Sequence, residues 1–559
     1  MESSGGGWGC WMIGVPGERG PYHAGMSTFY VTTPIYYVND RPHIGHCYTT
    51  CVADVAARFA RLMGLETYFL TGTDEHADKV IAKAVENRLT EQQWVDQCAG
   101  EFVRAFALLG FSQDVFYRTS DPQHKALAQR YIKKLLDQGD VYLGDYVGWY
   151  DPSQDEYLTE TLAKEHHYVS PVTGKSLEKR TEKNYFFRLS KYQDALAAHI
   201  AGHEEFILPL ARRNEVLGRL KDGLQDVPVS RALKAGESTW GVLMPGDPSH
   251  RVYVWIEALC NYLTAVDTAG KRHLWPAAVH LMAKDILWFH AVIWPAMLMA
   301  LGQGQPKTVY AHAYWVREGR KMSKSLGNFV DIDVIQQYVG AFGADALRYY
   351  LITQGPQGVS DADFSHGRFI ETYNAELANG IGNATSRVGN MIDKYFGGRV
   401  PEHGGVGVLA GLEQFDWPVL TATAVRSAIA KFGEMDLAGA TNEGIALVRK
   451  VDAYINATEP FKIAKKLEAE PGLKDRLGAI LYHCAEALRV ATLLLTPAMP
   501  VKMGQLQRTW NCVPAGGVTL SQLADWHGPH ALVPGQGLTK GEVLFMRADP
   551  GAAWPPVAG

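Results

Sequence analysis

Two short segments of this 559-residue chain carry side chains suited to binding phosphate groups. His43, Gly45 and His46 lie where a polar loop turns into a helical pattern. Both imidazoles are therefore expected at a helix N-terminus, which offers unpaired N–H groups to an anion. Gly45 has no side chain, so a flat ring can approach the backbone there. Taken alone, the same residues also fit a surface histidine pair, or a metal pair completed by residues 74–76.

The second segment is Lys-Met-Ser-Lys-Ser at 321–325, in a polar loop with flanking arginines and glycines. Two lysines three positions apart, with a hydroxyl between them, can hold a polyphosphate as mobile point charges. A solvated basic loop is the alternative explanation for such a run on its own. The residues of this segment are Lys321, Met322, Ser323, Lys324 and Ser325.

The elements around these segments follow an alternating pattern. Residues 29–33 and 67–70 are β-rich and apolar, and a helical repeat between them stops at Gly64. Strand, helix, strand and helix in succession predict a parallel α/β sheet. The rhythm is lost from about 141 to 234, and after about 365 the apolar spacing is helical throughout. We therefore expect a Rossmann-type parallel sheet split by a connective insertion and followed by an all-α helical bundle.

Composition narrows the class of protein. Hydrophobic residues make up 47% and charged residues 20%, as is ordinary for a soluble globular protein. The net charge of −5 excludes a generally basic nucleic-acid coat. No apolar run approaches the ~20 residues of a membrane span, so no membrane association is expected. Seven scattered cysteines without a C-x-x-C pair favour reduced thiols. The Gly-rich first 25 residues lack the features of a secretory signal.

The two phosphate-binding segments, in this order around a resumed sheet, resemble those of class I aminoacyl-tRNA synthetases. A second set of segments is similar to the methionyl-tRNA synthetase family, over about residues 27 to 500. These segments are Thr-Pro-Ile-Tyr-Tyr-Val-Asn at 33–39, Thr-Gly-Thr-Asp-Glu-His at 71–76, Gly-Trp-Tyr at 148–150, Asn-Tyr-Phe-Phe-Arg at 184–188, Tyr-Val-Trp at 253–255, Lys-Asp-Ile at 284–286, and the stretch from Phe-His at 289–290 to Trp-Pro at 294–295.

The resemblance implies a methionine–tRNA ligase. Such an enzyme activates L-methionine with ATP to methionyl-adenylate plus pyrophosphate. It then transfers methionine to the 3′ end of tRNA(Met), for translation initiation and elongation. No nucleophile or general base is needed, because the substrate carboxylate attacks the α-phosphorus and the enzyme positions the reactants and stabilises charge. Mg²⁺ is expected to accompany the ATP phosphates.

The resemblance also assigns residues to sites. The catalytic residues would be His43, His46, Lys321 and Lys324. The ATP site would add Gly45, Met322, Ser323 and Ser325. The methionine pocket would consist of Ile35, Tyr37, Asp74, Trp255, Ala258, Tyr262, Ile286, Phe289 and His290. Aromatic walls suit a polarizable thioether, and a hydroxyl and an imidazole N–H could point at the sulfur as a weak acceptor. Ordinary core packing is the alternative explanation for each aromatic residue.

A polar face of one predicted helix carries Asn379, Asn383 and Arg387. A solvated helix face is the simpler explanation of this spacing. In the family, however, Asn383 and Arg387 match positions that recognise the CAU anticodon, whose unstacked bases are bound by amide and guanidinium groups. Phe461 stands where relatives carry a tryptophan, and a phenylalanine can also stack on a base, with less area and no N–H donor.

Other positions depart from the family pattern. Glu257 replaces the usual aspartate, and Ala283 replaces a common glycine. Many relatives carry a zinc knuckle in the insertion, whereas this chain has Asp151 and Asp155 and lacks the second cysteine pair. We therefore predict a knuckle without zinc, and no protein-bound metal apart from the Mg²⁺ that accompanies ATP.

The expected domain organisation has seven parts. They are a disordered N-terminal extension at 1–25, the first half of the Rossmann domain at 26–140, the connective insertion at 141–234, the second half of the Rossmann domain at 235–310, a Lys-Met-Ser-Lys-Ser and stem-contact region at 311–365, an α-helical anticodon-binding domain at 366–510, and a C-terminal tail at 511–559. We expect a cytoplasmic monomer, with the mitochondrial matrix as the alternative compartment.

Rival interpretations come from the same class and from outside it. Leucyl-, isoleucyl- and valyl-tRNA synthetases carry an editing domain of roughly 200 residues, about twice the insertion found here. A cysteinyl-tRNA synthetase would need thiolate ligands for a soft metal, which this sequence lacks. A non-catalytic paralog conflicts with the intact histidines and lysines. A plain nucleotidyltransferase conflicts with the helical domain.

Overall fold

The protein is described from a computed structural model. The structure describes residues 27–154, 156–158, 160–317, 319–322, 328–403, 409, 411–549 and 551. Three residues of the second phosphate-binding segment, Ser323, Lys324 and Ser325, lie outside the described residues, as do Asp155 and the N-terminal extension.

The strands are β1 (Thr28–Tyr37), β2 (Glu66–Asp74), β3 (Val115–Arg118), β4 (Val141–Asp151), β5 (Glu156–Leu158), β6 (Glu178–Phe187), β7 (Ile207–Leu208), β8 (Val227–Pro228), β9 (Ser230–Ala232), β10 (Leu243–Met244), β11 (Asp247–Val252), β12 (Val279–Ala283), β13 (Thr308–His312), β14 (Trp315–Arg317), β15 (Arg320–Lys321) and β16 (Ala362–Asp363).

The helices are α1 (Ile44–Leu62), α2 (Asp78–Glu86), α3 (Glu91–Leu108), α4 (Pro122–Asp137), α5 (Glu160–Glu165), α6 (Gln193–Gly202), α7 (Leu210–Leu220), α8 (Val254–Leu259), α9 (Asn261–Thr268), α10 (Trp294–Leu301), α11 (Ile332–Phe342), α12 (Ala344–Gln354), α13 (His366–Thr372), α14 (Asn383–Phe396), α15 (Trp417–Gly433), α16 (Leu437–Thr458), α17 (Pro460–Lys466), α18 (Leu473–Leu495), α19 (Pro500–Thr509) and α20 (Leu520–Leu523). Two π-helical segments, Phe289–Ile293 and Tyr373–Gly382, precede α10 and α14.

A parallel sheet of six strands forms the centre of the first part of the chain. Its strand order is β3-β2-β1-β12-β13-β7. Side chains alternate across β1, so Phe29 and Val31 face one hydrophobic core while Tyr30 faces a second core on the other side. Burial on both faces is typical of parallel sheets that are covered by helices. The predicted fold class, a Rossmann-type sheet followed by a helical region, is confirmed.

The segment between the two halves of the sheet forms two small antiparallel sheets. Their strand orders are β5-β4-β6-β8 and β10-β11-β9. One short strand from the range expected for the insertion, β7, instead pairs with β13 in the parallel sheet. A two-residue strand leaves no detectable periodicity in the sequence, so this return of the chain to the main sheet was not foreseen.

Helix α1 begins at the first phosphate-binding segment. His43 is its N-cap, and the helix then buries Cys47, Cys51 and Val55 against the sheet. The chain turns after the helix at Gly64, whose φ of +82° is strained for any residue with a side chain. Because α1 follows β1 in the chain, the N-terminus of α1 lies at the carboxyl end of β1, where ligands bind in open α/β sheets.

A fully buried arginine connects the sheet to the helical region. Arg348, in α12, donates to the Asp54 carboxylate of α1 at 2.6 Å. It also donates to the carbonyl oxygens of Leu109 at 3.3 Å, Pro497 at 2.9 Å and Ala498 at 3.0 Å. Because Pro497 and Ala498 follow α18, this one side chain joins the helix of the first phosphate-binding segment to the core helix of the helical region.

Helix α18 is the core of the helical region. By length and composition Leu473–Leu495 could cross a membrane, but the apolar part of it lies entirely inside the protein. Its charged residues Glu486 and Arg489 form a buried ion pair at 2.6 Å. The Glu486 carboxylate also accepts the Leu532 N–H at 2.9 Å, so the pair is hydrogen bonded beyond itself. A buried charge is costly unless it is paired and hydrogen bonded, and this ion pair meets both conditions.

The C-terminal segment packs against the helical region rather than trailing from it. Trp526, Leu532, Leu538 and Phe545 are buried in the same core as α18. Asn374 exchanges two hydrogen bonds with the backbone of Ala548, at 3.0 and 2.9 Å. The Gly- and Pro-rich composition of the segment gave no pattern from which this packing could be predicted.

Candidate active site

The histidine turn at the start of α1 is held by its own side chains. The Nδ1 atom of His43 accepts the Gly45 N–H at 3.0 Å, and Nδ1 of His46 accepts the His43 N–H at 3.2 Å. This reciprocal arrangement is a capping box, built here from two imidazoles. The two rings lie 3.8 Å apart between centroids. A Cβ at Gly45 would meet the His43 ring at 2.8 Å, so glycine is needed at this position.

His46 is kept neutral by its surroundings. Its ring contacts those of Tyr36 and Phe102, at 4.8 and 5.1 Å between centroids. Burial, together with the nearby His43, holds the pKa of His46 well below its ordinary value. A neutral His46 ring at this helix N-terminus can approach a polyphosphate as a hydrogen-bonding group.

The chain that follows the lysine segment is docked on this histidine turn. The Ile44 N–H donates to the Val330 carbonyl at 3.0 Å, and His43 forms a β-bridge with Asp331. The ring of Phe329 lies edge-on to the His43 ring, at 5.1 Å. Asp331 then caps α11 through its carboxylate. Residues 329–331, which follow the lysine segment in the chain, are thus joined to the start of α1.

Of the second segment itself, the structure describes two residues. Lys321 lies in β15, which pairs with β14, and Met322 packs against the core that contains α1. The other three predicted residues of this segment lie outside the described residues.

The carboxyl ends of β1 and β2 bring together three predicted methionine-site residues. Ile35 is paired with Gly72, and Tyr37 with Asp74, after a bulge in β1. Asp74 is buried, at 3% exposure, and its carboxylate accepts the His76 N–H at 3.5 Å. The backbone of Ile35 and the carboxylate of Asp74 therefore lie at neighbouring strand ends, where a substrate ammonium can meet both acceptors.

An aromatic wall continues from this edge. Tyr37 is edge-on to Trp255 at 5.7 Å between ring centroids, and Trp255 stacks on Phe289 at 4.2 Å with an interplanar angle of 12°. All three rings are partly exposed, so their outer surfaces stay accessible to a ligand. Ala258, one turn after Trp255 in α8, is buried beside them.

Tyr262 and His290 are bonded to each other at the buried end of this region. The Ile286 carbonyl can only accept, so Nδ1 of His290 donates to it at 3.0 Å. Nε2 of His290 then accepts the Tyr262 O–H, at 2.8 Å. Burial lowers the pKa of His290 to about 4, which agrees with a neutral ring. Both ring nitrogens are engaged with protein partners, and the expectation that an imidazole N–H points at a thioether stays a prediction.

A second buried histidine lies behind this pair and was not foreseen from the sequence. The ring of His280, in β12, is tilted by 30° against the Tyr262 ring, at 4.3 Å between centroids. Its Nε2 atom accepts the Trp294 indole N–H at 3.3 Å, and its Nδ1 atom bonds the Thr32 hydroxyl at 2.8 Å. A histidine inside an apolar strand is the only sequence signal of this role. Residues 329–331, which dock on the His43 turn, were also not predicted as part of the site. Their sequence signal is an aspartate N-cap, Asp331, just before a helical pattern.

The predicted anticodon residues lie on the helical region and not at the pocket. Asn383 is exposed at the start of α14, and Arg387, one turn on, is half-exposed. The Arg387 guanidinium lies 3.5 Å from the Asp452 carboxylate. Phe461, at the start of α17, is 43% exposed. Both α14 and α17 pack on α18.

Metal ligands are sparse in the described parts of the chain. There, no three His, Cys, Asp or Glu side chains come together in a metal-binding group. In the insertion, Asp151 is buried and its carboxylate accepts the backbone N–H of Ser153 at 2.8 Å, which is a turn-forming role. The absence of zinc remains a prediction, because Asp155 lies outside the described residues.

A split parallel sheet, a His-x-Gly-His turn at a helix N-terminus, and a chain docked on that turn just after a Lys-Met-Ser-Lys-Ser sequence together define the architecture of class I aminoacyl-tRNA synthetases. Comparison with known proteins agrees with this class. The model of the family "tRNA synthetases class I (M)" matches residues 29–169 and 163–389.

Similar proteins narrow the class to one amino acid. The methionine–tRNA ligase of Halalkalibacterium halodurans is 39% identical over 543 residues, which cover 94% of this chain and 79% of that protein. The methionine–tRNA ligase of Bacillus subtilis is 38% identical and covers 94% and 78%. A structure of Mycobacterium tuberculosis methionyl-tRNA synthetase in complex with methionyl-adenylate has a TM-score of 0.83 at 32% identity, over 93% of this chain and 100% of that chain. This chain belongs to the methionyl-tRNA synthetase family, and its activity is that of a methionine–tRNA ligase.

Proposed function

We propose that this enzyme activates L-methionine with ATP to methionyl-adenylate and pyrophosphate, and then transfers methionine to the 3′ end of tRNA(Met) for translation initiation and elongation. The observation that carries this proposal is the docking of residues 329–331 on the His43 turn. It holds the start of α1 and the end of the lysine loop at one place, as a shared ATP site requires.

On the nucleotide side, His43, His46, Lys321 and Lys324 contact the phosphates, and the backbone at Gly45 contacts adenine. Met322, Ser323 and Ser325 complete this ATP site. The phosphates bring negative charge beside His46, which favours its protonated form during the reaction. The methionine carboxylate attacks the α-phosphorus directly, so these residues position the two substrates and stabilise charge on the departing pyrophosphate.

Mg²⁺ enters this proposal with ATP rather than through a protein site. Mg²⁺ prefers oxygen ligands, whereas the side chains at the start of α1 are imidazoles, which suit phosphate oxygens as hydrogen-bond donors. When bound to ATP, Mg²⁺ supplies charge neutralisation of pyrophosphate. The described residues therefore fit a metal that is held by the nucleotide.

On the amino-acid side, Asp74 and the Ile35 carbonyl receive the substrate ammonium. Tyr37, Trp255 and Phe289 surround the methionine side chain, and sulfur–aromatic contacts contribute about 0.3–1.5 kcal/mol each. Tyr262 and His290 close the far end of the pocket, with Ala258 and Ile286 beside them. An uncharged, hydrogen-bonded end suits a thioether and disfavours a charged side chain.

The test of this site is amino-acid-dependent exchange of labelled pyrophosphate into ATP, run with each of the twenty amino acids and without tRNA. We expect exchange with methionine alone. Exchange with another amino acid would keep the phosphate chemistry and refute the pocket assignment. ATP binding without any exchange would identify a non-catalytic paralog.

On the RNA side, we propose that Asn383 and Arg387 bind bases of the CAU anticodon and that Phe461 stacks on one of them. What supports this is their exposure on the helical region, where single-stranded bases can be reached by amide, guanidinium and aromatic groups. Aminoacylation of tRNA(Met) transcripts with CAU and with one altered anticodon base tests the assignment. Equal charging of both transcripts would refute it.

The remaining proposals concern organisation. We propose a cytoplasmic monomer without zinc. Its catalytic domain consists of residues 26–140 and 235–310, with the insertion at 141–234 between them. The stem-contact region follows at 311–365 and the anticodon-binding domain at 366–510. A mitochondrial matrix location is the alternative. Light scattering at twice the chain mass would refute the monomer, and one zinc per chain in elemental analysis would refute the zinc-free knuckle.

A further inference from the structure

One buried carboxylate lies inside the methionine-binding part of the molecule and has no part in the chemistry described above. Glu257, in α8, is wholly inaccessible to solvent. It stands in the same short helix as Trp255 and Ala258, two residues of the proposed pocket. A buried carboxylate is costly unless it is paired and hydrogen bonded.

Its two oxygen atoms bind two different histidines. Oε1 bonds Nδ1 of His76 at 2.8 Å, and Oε2 bonds Nε2 of His124 at 2.8 Å. Burial by itself would raise the pKa of Glu257. Interactions with the His76 and His124 rings outweigh burial and hold the pKa of Glu257 below its ordinary value. The carboxylate form is therefore the one that bonds both rings.

The two histidines belong to different parts of the wall. His76 follows Asp74, the proposed ammonium acceptor, by two residues at the end of β2. His124 lies in α4, and its Nδ1 atom bonds the Thr264 hydroxyl of α9 at 2.9 Å. One carboxylate thus ties together the end of β2, α8, α4 and α9.

For His76 this tie is the main restraint on the ring. Among the residues that the structure describes, Glu257 is the only hydrogen-bond partner of the His76 imidazole, whose Nε2 atom is buried without one. The ring also lies edge-on to Trp240 at 5.5 Å. The indole N–H of Trp240 in turn donates to the Glu75 carbonyl at 2.6 Å, between Asp74 and His76. Loss of the carboxylate would therefore release the His76 ring, two residues after Asp74.

We propose that Glu257 is a positioning residue for methionine, because it fixes the helix of Trp255 against the strand end of Asp74. This inference rests on the proposed methionine site. The ammonium acceptor and the aromatic wall come from separate elements, so a ligand that touches both binds well only when their separation is fixed. The nucleotide turn at His43 is not bonded to this carboxylate.

The variant that tests the inference is Glu257→Gln. The glutamine amide has one acceptor oxygen and one NH₂ donor, so only one of the two imidazole N–H groups keeps an acceptor. In pyrophosphate exchange we expect KM for methionine to rise about tenfold, the factor expected for one lost charged hydrogen bond. We expect kcat and KM for ATP to change less than about twofold, because loss of ground-state positioning raises KM alone.

Glu257→Asp provides a conservative comparison. It keeps the charge on a side chain shorter by one methylene, and we expect KM for methionine to rise about threefold, since the bonds lengthen without losing their acceptors. If Glu257→Gln fails to fold, as judged by circular dichroism, Glu257→Asp becomes the test. An unchanged KM for methionine in Glu257→Asp would then overturn the inference.

Glu486→Gln is the matched control. It removes the charge of another wholly buried carboxylate, which bonds Arg489 in α18 of the helical region. We expect it to lower the melting temperature and leave KM for methionine unchanged.

Three outcomes would overturn the inference. They are an unchanged KM for methionine in a folded Glu257→Gln, equal rises in KM for methionine and ATP, and an equal rise in KM for methionine in Glu486→Gln. Failure of the proposed function looks different, since the unmodified enzyme would then show no exchange with methionine.

Discussion

The methionine pocket and the predicted anticodon face are built in opposite ways. In the pocket, Tyr262 and His290 are buried and bonded to each other, and Trp255 stacks on Phe289. On the helical face, Asn383 and Phe461 are exposed, and the half-exposed Arg387 lies 3.5 Å from the Asp452 carboxylate. The proposed pocket is therefore organised by bonds within the protein, whereas the predicted anticodon residues are left accessible on the helical face.

This difference separates two kinds of experimental effect. Substitutions among bonded, buried side chains change the stability of the protein and the geometry of the site together. Substitutions on an exposed face change affinity for the partner and leave the rest of the enzyme intact.

Arg348→Met should cause the largest loss of stability. It leaves the Asp54 carboxylate buried with one cation fewer and removes three bonds to backbone carbonyls. We expect the free energy of unfolding to fall by about 3–5 kcal/mol, measured with urea. Arg58→Met removes the second cation beside Asp54, which is partly exposed. We expect it to lower the free energy of unfolding by about 1 kcal/mol or less. Equal losses of unfolding free energy in the two variants would show that the burial of Arg348 does not explain its effect on stability.

His46→Gln should separate catalysis from folding. Glutamine at this position can still accept the His43 N–H, since Gln is a usual residue at the third position of a capping box. We expect kcat for pyrophosphate exchange to fall about 100-fold, as for loss of one transition-state donor, with little change in melting temperature. His203→Ala, which removes an exposed imidazole in the insertion, is the control. Unchanged kcat in His46→Gln would remove His46 from the phosphate site.

Arg387→Ala should act on tRNA alone. We expect about a tenfold loss in kcat/KM for tRNA(Met), and weaker discrimination against an altered anticodon, with pyrophosphate exchange unchanged. Arg426→Ala removes an exposed arginine of α15 and tests whether any loss comes from net charge only. A parallel loss of pyrophosphate exchange would contradict the separation of the two regions.

Tyr262→Phe should have the smallest effect. It removes the donor to Nε2 of His290 and leaves that nitrogen buried without a partner, which costs about 1 kcal/mol and raises KM for methionine several-fold. Tyr30→Phe is closely matched, because the Tyr30 hydroxyl donates to the Tyr262 carbonyl at 2.9 Å from outside the pocket. A similar KM change in both variants would show that general packing, rather than the Tyr262–His290 bond, sets the affinity.

The sequence predicted the fold class well because its signals are local. The helical spacing that begins at Ile44 and ends at Gly64 is a property of neighbouring residues, and so is the β-rich composition of β1 and β2. Signals of this kind failed where an element was too short or too irregular. The strand Ile207–Leu208 has too few residues to show a period, and the segment after 510 buries apolar residues without any regular spacing.

For the site, the residue types and their order along the chain were available from the sequence by itself. The spacing of His43 and His46 before a helix, and the lysine segment far downstream, already indicated phosphate binding at a helix N-terminus. The order of these segments, with the segments around Asp74 and Trp255, then predicted the enzyme family, which the comparisons confirm.

Only the tertiary structure decided which of these residues are bonded to one another. The β-bridge between His43 and Asp331, the contact of Tyr262 with His290, and the two histidines on Glu257 each join residues that are distant in sequence. Hydrogen bonds are made at about 3 Å and depend on direction, so they follow from the packing of whole elements rather than from local spacing. The sequence thus determined the chemistry that is present, and the fold determined its geometry.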